Sequence, residues 1–242
     1  MKRGRLPTYT LPTETIWTFM KILVVHAHPE AQSFCTALKT TAIEELQQQG
    51  HEVRVSDLYA MNFNPVASVA DFSSRAQPDY CVYAMEQRHG VETGTIASDI
   101  QAELDKLLWC DLLILNFPLF WCSTPAIMKG WIDRVFVSGT VYGGKRFYDQ
   151  GGLKGKRALV SITLGGQESM FTESGVHGPI DQMLKHLLQG TLGYAGMEVL
   201  SPFVAWHVPY VSRDARLRML EAWRTQLQSL DAVDVLSMPR MG

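Results

Sequence analysis

The chain has 242 residues, 46% of them hydrophobic and 19% charged, and a formal net charge of −2. That is enough for one α/β domain with a sizeable core, and the lack of a basic excess or stripe argues against a nucleic-acid surface. Cys35, Cys81, Cys110 and Cys122 show no C-x-x-C spacing, so they read as small buried hydrophobes of a reducing, cytoplasmic compartment rather than as a disulfide scaffold or zinc site.

No apolar run reaches the ~18 residues of a membrane span, and no membrane insertion is expected. Residues 1–20 hold Lys2, Arg3 and Arg5 without a continuous apolar stretch behind them, so they do not read as a secretory signal. Pro7, Pro12 and several threonines suggest a poorly ordered extension. One domain is expected over residues 21–231, with an irregular tail at 232–242.

From Ile22 the pattern alternates strands and helices. A short branched run, Ile22 to His26, reads as the first strand. A helix is expected from about Phe34 to Gln49, with Phe34, Leu38, Ala42 and Leu46 on one face, Ser33 as its cap and Gly50 at its end. Glu52 to Ser56 is the second strand. Residues 60–95 show no sustained period and read as a long loop with room for a short helix. A second helix, Ser98 to Trp109, precedes a third strand, Leu112 to Phe117, apolar enough to be central. Thr124 and Pro125 read as the cap and first residue of a third helix. The glycine-rich stretch 139–155 is a loop, and Ala158 to Thr163 the fourth strand. A helix from Ile180 to Leu192, a fifth strand within Glu198 to Ala205 and a last helix from Ser212 to Leu230 complete the series. Strands alternating with helices predict a parallel sheet with helices on both faces, in the flavodoxin-like order 2-1-3-4-5.

In such a sheet a ligand binds beyond the carboxyl ends of the strands where the order reverses, between strands one and three. The loops after strands one, three and four should therefore meet there, and all three are unusual. The first carries His28 and Ser33 into a helix start, a place suited to phosphate. Ser33 reads equally well as a plain helix cap. His26 and His28 also allow a metal reading, but no third ligand is evident. The second loop, Pro118-Leu119-Phe120-Trp121, offers backbone N–H groups and flat apolar walls for a planar heterocycle, although such aromatics are as often simply core. The third, Thr163-Leu164-Gly165-Gly166, lets a ligand approach the backbone closely. Downstream, His177 sits between Val176 and Gly178 and is an acid–base candidate.

Taken together, His28-Pro29-Glu30-x-x-Ser33-Phe34, Asp57-Leu58-Tyr59-Ala60-Met61-Asn62-Phe63-Asn64-Pro65, Phe117-Pro118-Leu119-x-Trp121, Pro125-Ala126-Ile127-x-Lys129-Gly130-Trp131, Thr163-x-Gly165-Gly166 and Gly175-x-His177-Gly178 resemble the NAD(P)H dehydrogenase (quinone) family. The likeness is greatest to its animal members of the DT-diaphorase type. It runs from about Lys21 to Leu230. It implies an enzyme that passes two electrons as hydride from NADH or NADPH, by way of bound flavin, to a quinone or related acceptor. It implies FAD, with FMN as an alternative, and a homodimer with sites at the subunit interface. An azo- or nitro-compound reductase and a flavin-bearing ancillary subunit of a potassium efflux system are the other readings.

Carried over position by position, the resemblance places His28, Ser33 and Phe34 at the pyrophosphate and ribityl chain. Pro118, Leu119, Phe120, Trp121, Thr163, Leu164, Gly165, Gly166 and Phe171 fall around the isoalloxazine, and Arg216 and Leu220 near the adenine end. His177 and Tyr142 take catalytic positions, Tyr142 from the partner subunit. The chain departs from the animal pattern, which has glutamine at Phe120, phenylalanine at Cys122, tyrosine at Phe171 and an aromatic residue at Gly144. With no hydroxyl at Phe171, His177 is expected to act alone, or with Thr172 or a water.

Overall fold

The computed structural model describes residues 19–241. The expected N-terminal extension falls almost wholly outside them. Six strands form one parallel sheet. β1 (Lys21–His26) lies between β2 (Glu52–Asp57) and β3 (Leu112–Pro118), and β3 pairs with β4 (Arg157–Thr163). The fifth position is shared by two short strands, β5 (Glu198–Val199) and β6 (Phe203–Ala205), both pairing with β4. The order is thus 2-1-3-4-5, as expected, with the last strand interrupted at residues 200–202.

Alternation of side chains along the strands divides the apolar residues between two faces. Ile22 and Val24 of β1, Leu112 and Ile114 of β3, and Leu159 of β4 face one cluster. It is closed by Leu38, Ala42 and Leu46 of α1 (Phe34–Gln48), with Trp223 and Leu227 from the last helix (Arg213–Gln228). The Trp223 indole N–H donates to the Leu38 carbonyl at 3.0 Å. Leu23, Val25, Leu113, Leu115 and Phe117 face the other cluster. There they meet α3 (Ser98–Trp109) and α4 (Ala126–Val135), which follow α2 (Tyr83–Thr93) in the chain.

Four local expectations need correction. The stretch 60–95 holds a full eleven-residue helix, α2. Its period is hidden because it buries Glu86 and Gln87: Glu86 takes the amides of Ala76 and Gln77, and Gln87 bonds Ser138 and Asp133. Pro125 is the residue before α4, with φ −56° and ψ 150°, and no side chain caps that helix. Extended ψ at the proline excludes it from the first helical position. The single helix expected over 180–192 is broken into α5 (Ile180–Met183), α6 (Lys185–Leu187) and a π-helical turn, Leu188–Gly193. The last helix, α7, is Arg213–Gln228 with Ser212 as its cap. The tail after Asp231 carries no long element but pairs with the sheet edge: Leu236 donates to Val199 and Ser201 to Asp234.

Candidate active site

At the carboxyl ends of β1, β3 and β4 the loops enclose a cavity of about 320 Å³. His28, Ser33, Phe34 and Cys35 form one wall, Pro118, Leu119 and Phe120 a second, and Thr163, Leu164 and Gly165 a third. The expected convergence of three loops is thus present. A fourth wall, Val208 and Pro209, was missed by the sequence reading. The proline was the one available signal of a turn there.

The first wall is a helix start. Ser33 caps α1, its Oγ accepting the Thr36 amide at 3.0 Å. No acidic side chain sits in the first turn, and the amides of Phe34 and Cys35 make no hydrogen bond among the described residues. Free N–H groups and a positive dipole end are the ingredients of an anion site. The His28 Nδ1 accepts the Glu30 amide at 3.0 Å, while His26 turns into the sheet towards Asn116. The two imidazoles therefore serve different partners. Burial pushes the Cys35 thiol up to about 12, so it stays protonated and unreactive.

The second wall ends in a tight hairpin. Phe120 and Ser123 exchange both backbone hydrogen bonds at 3.0 Å around Trp121 and Cys122, whose φ angles are +47° and +60°. Two consecutive left-handed residues define a type I′ turn, normally a place for Asn and Gly. The turn leaves the amides of Trp121 and Cys122 without partners among the described residues. It also throws the Trp121 ring outward, 99% exposed. The indole expected as a wall of the pocket thus stands outside the cavity of this chain, because the turn reverses the backbone just before it. The Ser123 hydroxyl is tied to His186 Nε2 at 2.9 Å.

The third wall is braced from outside. The His207 Nδ1 donates to the Gly165 carbonyl at 2.7 Å, and the His207 amide to that of Gly166 at 2.9 Å. Phe171 does not line the cavity; its ring covers Gly166 and packs between His177 and Trp206 in tilted contacts, at centroid separations of 4.9 and 5.3 Å. His177 is exposed, with its amide on the Met170 carbonyl. The Thr172 hydroxyl is committed to the Ser169 carbonyl at 3.3 Å.

Three expected residues lie apart. Tyr142 lines a separate cavity of about 180 Å³ with Ile132, Phe136 and Tyr194; burial, then Tyr194, pushes its hydroxyl pKa up. Arg216 and Leu220 lie along α7 and do not reach the 320 Å³ cavity; Leu220 packs on the apolar cluster beneath.

Comparison with known proteins follows the same line. Residues 20–227 match the model of a family described as having a flavodoxin-like fold. The human ribosyldihydronicotinamide dehydrogenase [quinone] is 42% identical over 211 residues, covering 87% of this chain and 91% of the relative. The NAD(P)H dehydrogenase [quinone] 1 of Rattus norvegicus is 40% identical, covering 87% and 77%. A crystal structure from Klebsiella pneumoniae, provisionally assigned as a quinone reductase, superposes with a TM-score of 0.86 at 39% identity, covering 89% and 86%.

Proposed function

The chain belongs to the flavodoxin-like family of NAD(P)H dehydrogenases (quinone), and from that premise we propose that it is a flavin-dependent NAD(P)H:quinone oxidoreductase. The observation that carries the reading is one cavity where a helix start free of acidic residues meets two apolar loops. Its two kinds of surface match the two halves of a flavin nucleotide, an anion and a flat heterocycle. When bound, a flavin supplies reversible two-electron chemistry.

The chain's own part is to hold, orient and stabilise charge. The free amides of Phe34 and Cys35, with His28 and Ser33, take the phosphate. Pro118, Leu119, Phe120, Thr163, Leu164 and Gly165 flank the ring system, and the free amides of Trp121 and Cys122 donate to its polar edge. Gly166 lets Phe171 lie close, which sets the position of His177. His177 stabilises negative charge that develops on reduction, since an imidazole N–H can donate a hydrogen bond to it. The committed hydroxyl of Thr172 does not substitute for a tyrosine.

FAD is the proposed cofactor and FMN the alternative; with FAD, Arg216 and Leu220 face its adenine end. NADH or NADPH is the donor and a quinone the acceptor. The protein works as a cytoplasmic homodimer, with Tyr142 closing the partner's acceptor site. The nearly full exposure of Trp121 beside the cavity supports a covering subunit. Among the described residues no helix is long and apolar enough to cross a membrane.

The test is spectroscopic. The purified chain should be yellow, bleach on anaerobic addition of NADH or NADPH, and recover in one step with a benzoquinone. Released cofactor then separates FAD from FMN. A colourless protein that binds no added flavin overturns the proposal.

A further inference from the structure

His26 is an ionisable side chain only 1% exposed, set in the carboxyl edge of the sheet between Asp57 of β2 and Asn116 of β3. It is the middle of a continuous polar chain. Ser33 Oγ lies 3.0 Å from Thr36 Oγ1, which lies 3.3 Å from His26 Nε2. His26 Nδ1 lies 2.6 Å from Asn116 Oδ1, and Asn116 Nδ2 donates to Ser161 Oγ at 3.2 Å. The chain crosses β1, β3 and β4 in register and surfaces at Ser33, in the cavity wall. A buried row of this kind is costly unless every member is bonded.

Donor counting shows what it can do. Asn116 Nδ2 is committed to Ser161, so Asn116 Oδ1 accepts and His26 carries its proton on Nδ1. The Thr36 hydroxyl then has one proton and three possible acceptors, His26 Nε2, Ser33 Oγ and the Glu30 carbonyl at 3.0 Å. With His26 neutral, Thr36 donates to Nε2, and the Ser33 hydroxyl donates to Thr36. With His26 protonated, Nε2–H donates to Thr36, the Thr36 proton turns to Ser33 Oγ, and the Ser33 proton is free to point into the cavity, while the Glu30 carbonyl keeps the Ser33 amide at 3.2 Å.

We propose that His26 is a positioning residue for phosphate bound at the start of α1: the proton it takes up from solvent on binding reverses this chain and aims the Ser33 hydroxyl at the phosphate. The proposal rests on the flavin reading above, which supplies the phosphate.

The groups facing His26 are few. Lys39 of α1 pairs with Asp57 of β2 at 2.8 Å. Cys35 of α1 stays protonated, His28 lies on the following loop, and the Glu30 carboxylate holds the Gln32 amide. β3 and β4 present only Asn116 and Ser161, which do not titrate. Burial lowers the imidazole pKa in the free protein, and a phosphate nearby acts in the opposite sense. Affinity therefore rises as pH falls through the interval between the free and bound pKa values, and is lost above it.

The experiment is calorimetric titration of the flavin-stripped full chain with FAD and with riboflavin, which has no phosphate, in two buffers of different ionisation heat. Wild type should take up protons with FAD and none with riboflavin. His26→Gln should lose that uptake and bind FAD on the order of tenfold more weakly, with riboflavin affinity unchanged. Thr36→Val cuts the same chain without entering the sheet and should behave alike, so a misfolded His26 variant does not end the test. Wild-type uptake and affinity ratio in a folded Thr36→Val or His26→Gln protein would overturn the proposal. Wild type that binds both flavins without proton uptake overturns it alone, whereas wild type that binds neither overturns the flavin reading as well.

Discussion

The ring of Phe171 lies so close over Gly166 that a β-carbon on the glycine would stand 2.6 Å from its Cε2. The same ring packs at a tilt against His177 and Trp206, so one missing side chain sets the position of three aromatic groups. Gly166→Ala should push the ring away, costing about 1–3 kcal/mol in thermal or denaturant unfolding, and lower quinone reduction by roughly tenfold through His177.

Phe171 stands where the resembling enzymes carry a tyrosine. Phe171→Tyr should speed nucleotide oxidation several-fold in stopped flow, because a second proton donor joins His177. His177→Ala should slow both half-reactions by about a hundredfold. Unchanged half-reactions in the alanine variant would remove His177 from the site.

The Asp71 carboxylate receives Arg134 Nη2 at 2.8 Å, the Tyr83 hydroxyl at 2.7 Å and the Ser68 amide at 3.0 Å. Burial alone would raise its pKa, but these bonds outweigh it and hold the carboxyl below its ordinary value. A depressed pKa stabilises the fold above the unfolded value, about pH 4, and that stability is lost as pH falls below it. Asp71→Asn should cost about 1.5–3 kcal/mol at neutral pH, because the buried Arg134 keeps only the half-exposed Asp99 carboxylate, at 2.7 Å. It should also flatten the acid limb of the unfolding curve.

Cys122 is exposed in the left-handed region. Cys122→Val should therefore destabilise by roughly 1–2 kcal/mol through backbone strain, since little packing is lost. Cys122→Gly should unfold within about 1 kcal/mol of the parent, because relief of strain offsets chain entropy. Equal melting temperatures for the valine variant and the parent would show that the turn is not strained.

The sheet order was legible because Leu112 to Phe117 and Ala158 to Thr163 are apolar enough to be buried on both faces. The three pocket loops were legible because each follows such a strand. α2 was not, since burying Glu86 and Gln87 erases its apolar period. Nor was the break after Leu187, where the π-helical turn ends a pattern that continues in the sequence. The Val208–Pro209 wall escaped because it reaches the cavity through long-range bonds, from His207 to Gly165 and Gly166 and from the Val208 amide to the Leu164 carbonyl.

By itself the sequence determined the strand order, the location of the pocket and the family, because periodicity and short motifs are local properties of the chain. Tertiary structure alone decided which groups touch. His26 became the centre of a buried polar chain only through its register with Asn116 and Ser161. Trp121 left the cavity only through the turn between Phe120 and Ser123. Both outcomes depend on pairings between residues remote in sequence or on backbone angles, which composition and spacing do not encode.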